Sequence, residues 1–218
     1  TNEAKQAAQA SADVLRDVSP AAHCRAMLFS HAKILTLLEQ FGEAARICDE
    51  AVRLARECED RVLEGQAAFA MCAAHANNRD LDKALKAGEL AAEIFQGVGQ
   101  YCRVDEAKTW VLLGEIHFAL DETSLALRML AKAESCLEAF GDRRRLVETK
   151  HAKLRMLLHL GDMEEAAKVA TDALKISRAE DDMAGTAQSI LRVIETTSGT
   201  LSDESAAEKP WRVYQQAC

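Results

Sequence analysis

The chain has little of what marks a catalyst, a secreted domain or a membrane protein. It holds 2 prolines and 10 glycines in 218 residues. So few breakers leave room for long uninterrupted helices and argue against a turn-rich β fold. Aromatic residues make up 5% of the chain, so any core is built from small and aliphatic side chains. The 7 cysteines include no CxxC pair. Their odd number in a long alanine-rich chain suits small buried hydrophobes in a reducing intracellular compartment, cytoplasmic or organellar, better than a disulfide framework. No run of about 18 apolar residues is present, so no transmembrane helix is expected. No signal peptide is visible. Thr1 in first place is compatible with a cleaved leader and with an arbitrary cut alike. The net charge of −8, from 27 basic and 35 acidic residues, is a poor match to nucleic acid, which needs a basic face.

Chemical motifs are missing as well. There is no GxxxxGK[ST], GxGxxG, HExxH or GxSxG. Glu148 and His151 have ExxH spacing, but a di-iron bundle needs two such motifs and two further glutamates. Nothing in the sequence places a nucleophile beside a base. No catalytic residue, cofactor or metal site is therefore expected, and the chain reads as a non-enzyme.

What is present is a repeat. Residues 107–142 read as one helix, a polar turn at 121–124 and a second helix. One alanine column runs Ala44, Ala84, Ala126, Ala166; a second runs Ala51, Ala91, Ala133, Ala173. Three residues further on stand Leu54, Ile94, Cys136 and Ile176, and the unit ends at Asp60, Gln100, Asp142 and Asp182. Every column steps by 40, 42 and 40. Small residues suit such columns because paired helices approach to about 8–10 Å there. The two additional residues of the longer step fall near 100–107, where one helix must be entered differently.

Counting Ala107 as position 1, Trp110, Leu113, Gly114, His117, Ala126, Leu130 and Ala133 stand at positions 4, 7, 8, 11, 20, 24 and 27. This pattern resembles the tetratricopeptide (TPR) repeat, with histidine replacing the aromatic at position 11. HEAT-like repeats have a similar length, but the turn at 157–166 favours TPR, in the longer-helix form of kinesin light chains, LGN-type adaptors and peptide-sensing bacterial regulators. The resemblance implies an all-α right-handed superhelix of about four helix pairs with a half-unit at each end. The expected organisation is an orphan or capping helix at 1–19, units at 21–60, 61–100, 101–142 and 143–182, a half-unit at 183–197 and a tail at 198–218. Residues 3–17 match the second helix of a unit, so the chain opens halfway through one. Pro210 falls inside the helix that should pair with 183–197, where proline is unfavourable by about 3 kcal/mol, and the array stops there.

In arrays of this kind the first helices line a groove through positions 2, 5, 9, 12 and 13. Position 5 is Phe29, Phe69, Val111 and His151, with Leu191 by extrapolation; position 9 is Lys33, Ala73, Glu115 and Arg155; position 12 is Thr36, Ala76, Phe118 and Leu158. The lysine, asparagine and arginine set that grips a C-terminal carboxylate in one TPR class is missing. Two readings stay open for this mostly apolar stripe: a groove for an apolar or amphipathic peptide or helix, or inter-helix core. His151, Arg155 and His159 share a helix face and suit either an anion or a solvated surface. Arg143, Arg144 and Arg145, with Lys150 and Lys153 nearby, form a basic cluster, either a solvated face or a docking patch that steers an acidic partner. Trp211 and Tyr214 in the tail either pack back on the C-terminal half-unit or a partner subunit, or belong to a disordered end. The implied function is a non-catalytic protein-interaction scaffold or accessory subunit; the alternative is a peptide- or ligand-sensing regulatory domain.

Overall fold

The structure, a computed structural model, describes residues 2–182 and positions 185, 188, 189 and 191. All regular structure among the described residues is helical. The helices are α1 (Asn2–Arg16), α2 (Pro20–Ala26), a π-helical segment (Met27–Ala32), α3 (Lys33–Leu37), α4 (Phe41–Glu57), α5 (Arg61–Asn77) and α6 (Leu81–Val98). After a 3-10 turn (Gln100–Cys102) come α7 (Arg103–Ala119), α8 (Thr123–Phe140), α9 (Arg143–Leu160) and α10 (Met163–Ala179). They form two compact units that divide between Asp105 and Glu106.

Helix starts follow local chemistry. Pro20 takes the first turn of α2, where its missing N–H costs nothing. Asp60, Asp142 and Asp162 each accept a hydrogen bond from the amide three residues on, at 3.0, 3.0 and 3.1 Å, and so cap α5, α9 and α10. Helix ends need a left-handed residue. Gly141 and Gly161 supply it without a Cβ penalty, and Glu39, Glu59, Arg79, Asp121 and Asp181 take positive φ as ordinary residues; Gly99 also has positive φ, with an extended ψ of −143°. The π segment between α2 and α3 continues the same rod, and nothing in its residues announces it.

In the first unit α1 packs on the α2–α3 rod, α4 lies between that rod and α5, and α5 pairs with α6. Cys24, Leu28, Cys48, Ala51, Leu63 and Phe95 belong to its core. Two contacts show how closely the helices approach. A Cβ on Gly65 would meet the Phe95 ring at 2.6 Å. Buried Glu64 is held by Arg56 at 2.9 Å and Arg61 at 2.6 Å, which ties the end of α4 to the start of α5. His23 joins α1 to α2 through its Nδ1, 2.6 Å from the Ala12 carbonyl.

In the second unit α9 packs against α8 and α10, around Leu154, Leu157, Ala166, Val169 and Ala170. Gly114 of α7 faces α8, and a Cβ there would lie 3.2 Å from the Ala126 carbonyl and 3.3 Å from Leu130. Position 8 is thus a close-approach position, and Ala32, Cys72 and Leu154 fill it elsewhere, all buried. All eight alanines of the two columns are completely enclosed.

None of the six described cysteines is in a disulfide, and five of them are buried. Burial pushes the Cys24 and Cys48 thiols up to about 11 and about 12, and Cys72 higher still, so none of these three is a thiolate near neutral pH. They behave as small hydrophobes.

Candidate interaction face

The first helices carry the positions that the repeat pattern assigns to a groove, and the two units treat them differently. On the α2–α3 rod, Phe29 is 55% exposed and Leu37 60% exposed, with exposed Lys33 between them. The three recur every fourth residue and form one stripe. Thr36 lies off that stripe and bonds back to the Ala32 carbonyl at 2.8 Å. On α5, Phe69 is half-buried against the unit's core. Leu37 escaped attention in the sequence because position 13 varies from unit to unit; its step of four from Lys33 was the available signal.

In the second unit Val111, Glu115, His151 and Leu158 are buried, and Phe118 and Arg155 are half-buried. Arg155 donates to Glu115 Oε1 at 2.9 Å, linking position 9 of α7 to position 9 of α9. Glu115 is 2% exposed. Its second oxygen, Oε2, has no hydrogen-bond partner among the described residues. Burial raises its carboxyl from 4.5 to about 7, against the lowering effect of Arg155. His151 Nε2 lies 2.9 Å from the Ser189 hydroxyl. Phe118 and His159 stack edge to face with centroids 5.1 Å apart. His151, Arg155 and His159 therefore each face a protein group. His117, the residue in place of the position-11 aromatic, lies 2.6 Å from Glu122 at the turn that follows.

The basic cluster is largely neutralised by its own neighbours. Arg145 pairs with Asp142 and Arg144 with Glu148, while Lys150 and Lys153 reach Glu134 of α8 at 3.7 and 3.1 Å. Arg143 is exposed. Trp211 and Tyr214 lie outside the described residues. No group of three or more His, Cys, Asp or Glu among the described residues is placed to hold a metal ion. No helix there is long and apolar enough to cross a membrane.

No protein-family model matches the sequence, and no curated protein matches it. The fold itself has clear counterparts. BtubC (BKLC) from P. vanneervenii superposes with a TM-score of 0.78 over 99% of this chain and 91% of that one, at 17% identity. A Podosopora anserina protein of nearly identical TPR-like repeats, of the kinesin light chain kind, gives 0.70 over 90% and 96% at 13% identity. Aspartyl phosphate phosphatase F from Bacillus subtilis gives 0.61 over 91% of this chain and 56% of that one at 14% identity. The chain has the TPR-like helical solenoid fold.

Proposed function

We propose that the protein is a non-catalytic interaction module that binds a partner protein through the first-helix face of its N-terminal unit. The observation that carries this reading is the Phe29–Lys33–Leu37 stripe. Two large apolar side chains, each more than half exposed, sit two helical turns apart on a rod whose opposite face, with Cys24, Leu28 and Leu35, is buried. A segment with apolar side chains at matching spacing, such as one face of an amphipathic helix, would cover them. The fold is compatible with this role without dictating it. Proteins sharing it carry names as unlike as kinesin light chain and aspartyl phosphate phosphatase, and function resides in the site rather than the scaffold. The second unit supports the reading by contrast, because its equivalent residues are occupied with one another.

Affinity capture with the wild-type chain and with a Phe29→Asp, Leu37→Asp variant tests it. A protein retained by the wild type and lost by the variant, with helical content unchanged, is the expected result. Identical capture by both chains would remove the stripe from the binding surface.

A further inference from the structure

α1 packs on the α2–α3 rod, and two buried histidines lie on that rod. His23 of α2 is 4% exposed and His31 of the π-helical segment is 6% exposed. The His23 Nδ1 lies 2.6 Å from the Ala12 carbonyl of α1. A carbonyl only accepts, so this nitrogen carries a proton and ties α1 to the rod. His31 has no such tie. Its Nε2 is buried without a hydrogen-bond partner among the described residues, an unfavourable state for a polar atom. π-helical turns are frequent at functional sites, and this one carries the unpaired ring.

The charged groups that face His31 come from two further helices. α1 brings Lys5 and Asp13, and α4 brings Glu43. Lys5 donates to Glu43 Oε2 at 2.6 Å and to Gln40 Oε1 at 3.0 Å, so it joins α1 to the start of α4. Glu43 is thus already engaged by an ammonium. Burial holds the His31 pKa below its ordinary 6.5; Glu43 raises it, Lys5 adds to the lowering, Asp13 raises it, and burial prevails. A proton therefore binds His31 better once α1 has lifted and water reaches the ring. By linkage, the closed contact is at full strength above about 6.5 and weakens as pH falls through the lower value of the closed state.

We propose that α1 is an acid-released latch: protonation of His31 lifts α1 off the α2–α3 rod as pH falls below about 6.5 and uncovers the histidine-bearing face beneath it. His23 and Lys5 are the fastenings and His31 is the trigger. The core cluster that includes Cys24, Cys48, Ala51 and Phe95 contains no residue of α1, so the body of the first unit stays folded when α1 opens. The latch does not depend on the partner-binding stripe, because Phe29, Lys33 and Leu37 are exposed with α1 closed.

Hydrogen exchange of the full chain at about pH 7.5 and about pH 5.5, corrected for intrinsic rates, tests it. Protection over α1 should fall by about three- to tenfold at the lower pH, tenfold being roughly the most that one histidine titrating near 6.5 in the open state gives. Protection over α5 should not fall. His31→Gln should leave α1 equally protected at both pH values, whatever the absolute level. If that variant loses helical content, His31→Leu takes its place with the same expectation. His23→Leu removes a fastening and should keep the pH-dependent fall. Wild-type α1 protection that does not change, a loss over α1 and α5 together, a fall that survives in the folded His31 variant, or a fall abolished in a folded His23→Leu chain would overturn the proposal.

Discussion

On the α2–α3 rod, repeat positions 5, 9 and 13 are Phe29, Lys33 and Leu37, all exposed; on α7 and α9, positions 5 and 9 are Val111, Glu115, His151 and Arg155, three of them buried. The repeat address is the same and the environment is opposite. In the second unit the neighbouring first helices answer one another through Arg155 and Glu115, and the position becomes part of the interior. On the α2–α3 rod the same positions are exposed, while Phe69 and Ala73 of α5 are half-buried. A column of a repeat therefore specifies where a side chain points along its helix, and the neighbouring helix decides whether that direction is core or surface.

The comparison breaks most visibly at position 9. Arg155→Met leaves the Glu115 carboxylate buried without its partner, and stability at pH 8 should drop by about 3 kcal/mol. Lys33→Met, at the same position of the first unit, should change it by less than about 0.5 kcal/mol. Urea unfolding of both variants measures the difference. Equal effects would mean that position 9 plays one role in both units. The loss in Arg155→Met should shrink toward pH 6, because Glu115 can then take up a proton. The wild type has its own pH signature. Burial holds this carboxyl near 7 in the fold against 4.5 in an unfolded chain, so between those values the folded protein keeps a proton that the unfolded chain has released. Stability from this group is complete below about 4.5, falls as pH rises through the window and levels off above about 7. Glu115→Gln should abolish that fall, and unfolding midpoints at several pH values will show whether it does.

The glycines sharpen the contrast at the next level. Gly65→Ala drives a methyl into the enclosed Phe95 ring and should cost about 2–3 kcal/mol through overpacking. Gly114→Ala meets its neighbours at 3.2 and 3.3 Å, where small adjustments suffice, and should cost about 1 kcal/mol. Thermal unfolding ranks the two; a smaller effect at Gly65 would show that Phe95 has room to move. At the turns the sign reverses. Arg79 in the first unit and Asp121 in the second hold left-handed backbone without being glycine. Arg79→Gly and Asp121→Gly should each stabilise by about 0.5–1 kcal/mol, and denaturant midpoints that move down instead would show that the side chains contribute more than the backbone strain removes. The smallest effect belongs to the exposed stripe. Phe29→Ser and Leu37→Ser should leave stability within about 0.5 kcal/mol in urea unfolding, and a larger loss would reveal these side chains as packed groups.

Much of the fold was legible because the close-packed positions repeat in register. Ala44, Ala84, Ala126 and Ala166 could be aligned from the sequence, and all four are enclosed. The turns were legible where aspartate or glycine marks them, as at Asp142 and Gly161. The left-handed residues Glu39, Glu59 and Arg79 were not, since nothing about a charged residue announces positive φ. The π segment at Met27–Ala32 was equally silent, because its winding is a choice among helical hydrogen-bond patterns that no residue type enforces. The candidate face was legible as a set of helix positions and not as a surface. Phe29 and Val111 occupy the same position and are both apolar, yet one is exposed and the other is not. The arginines near the start of α9 read as a basic patch, but Asp142 and Glu148 supply counter-charges within one helical turn.

The sequence by itself determined the helical repeat, its period and the columns where helices meet, because these rest on side-chain size and on the 3.6-residue turn, both local properties of the chain. The tertiary structure decided which first-helix positions become interior and which charges find partners across helices. Each of those depends on what a neighbouring helix brings within reach, and contacts between residues 40 apart, such as Glu115 with Arg155, are set by packing and not by any local preference of the chain.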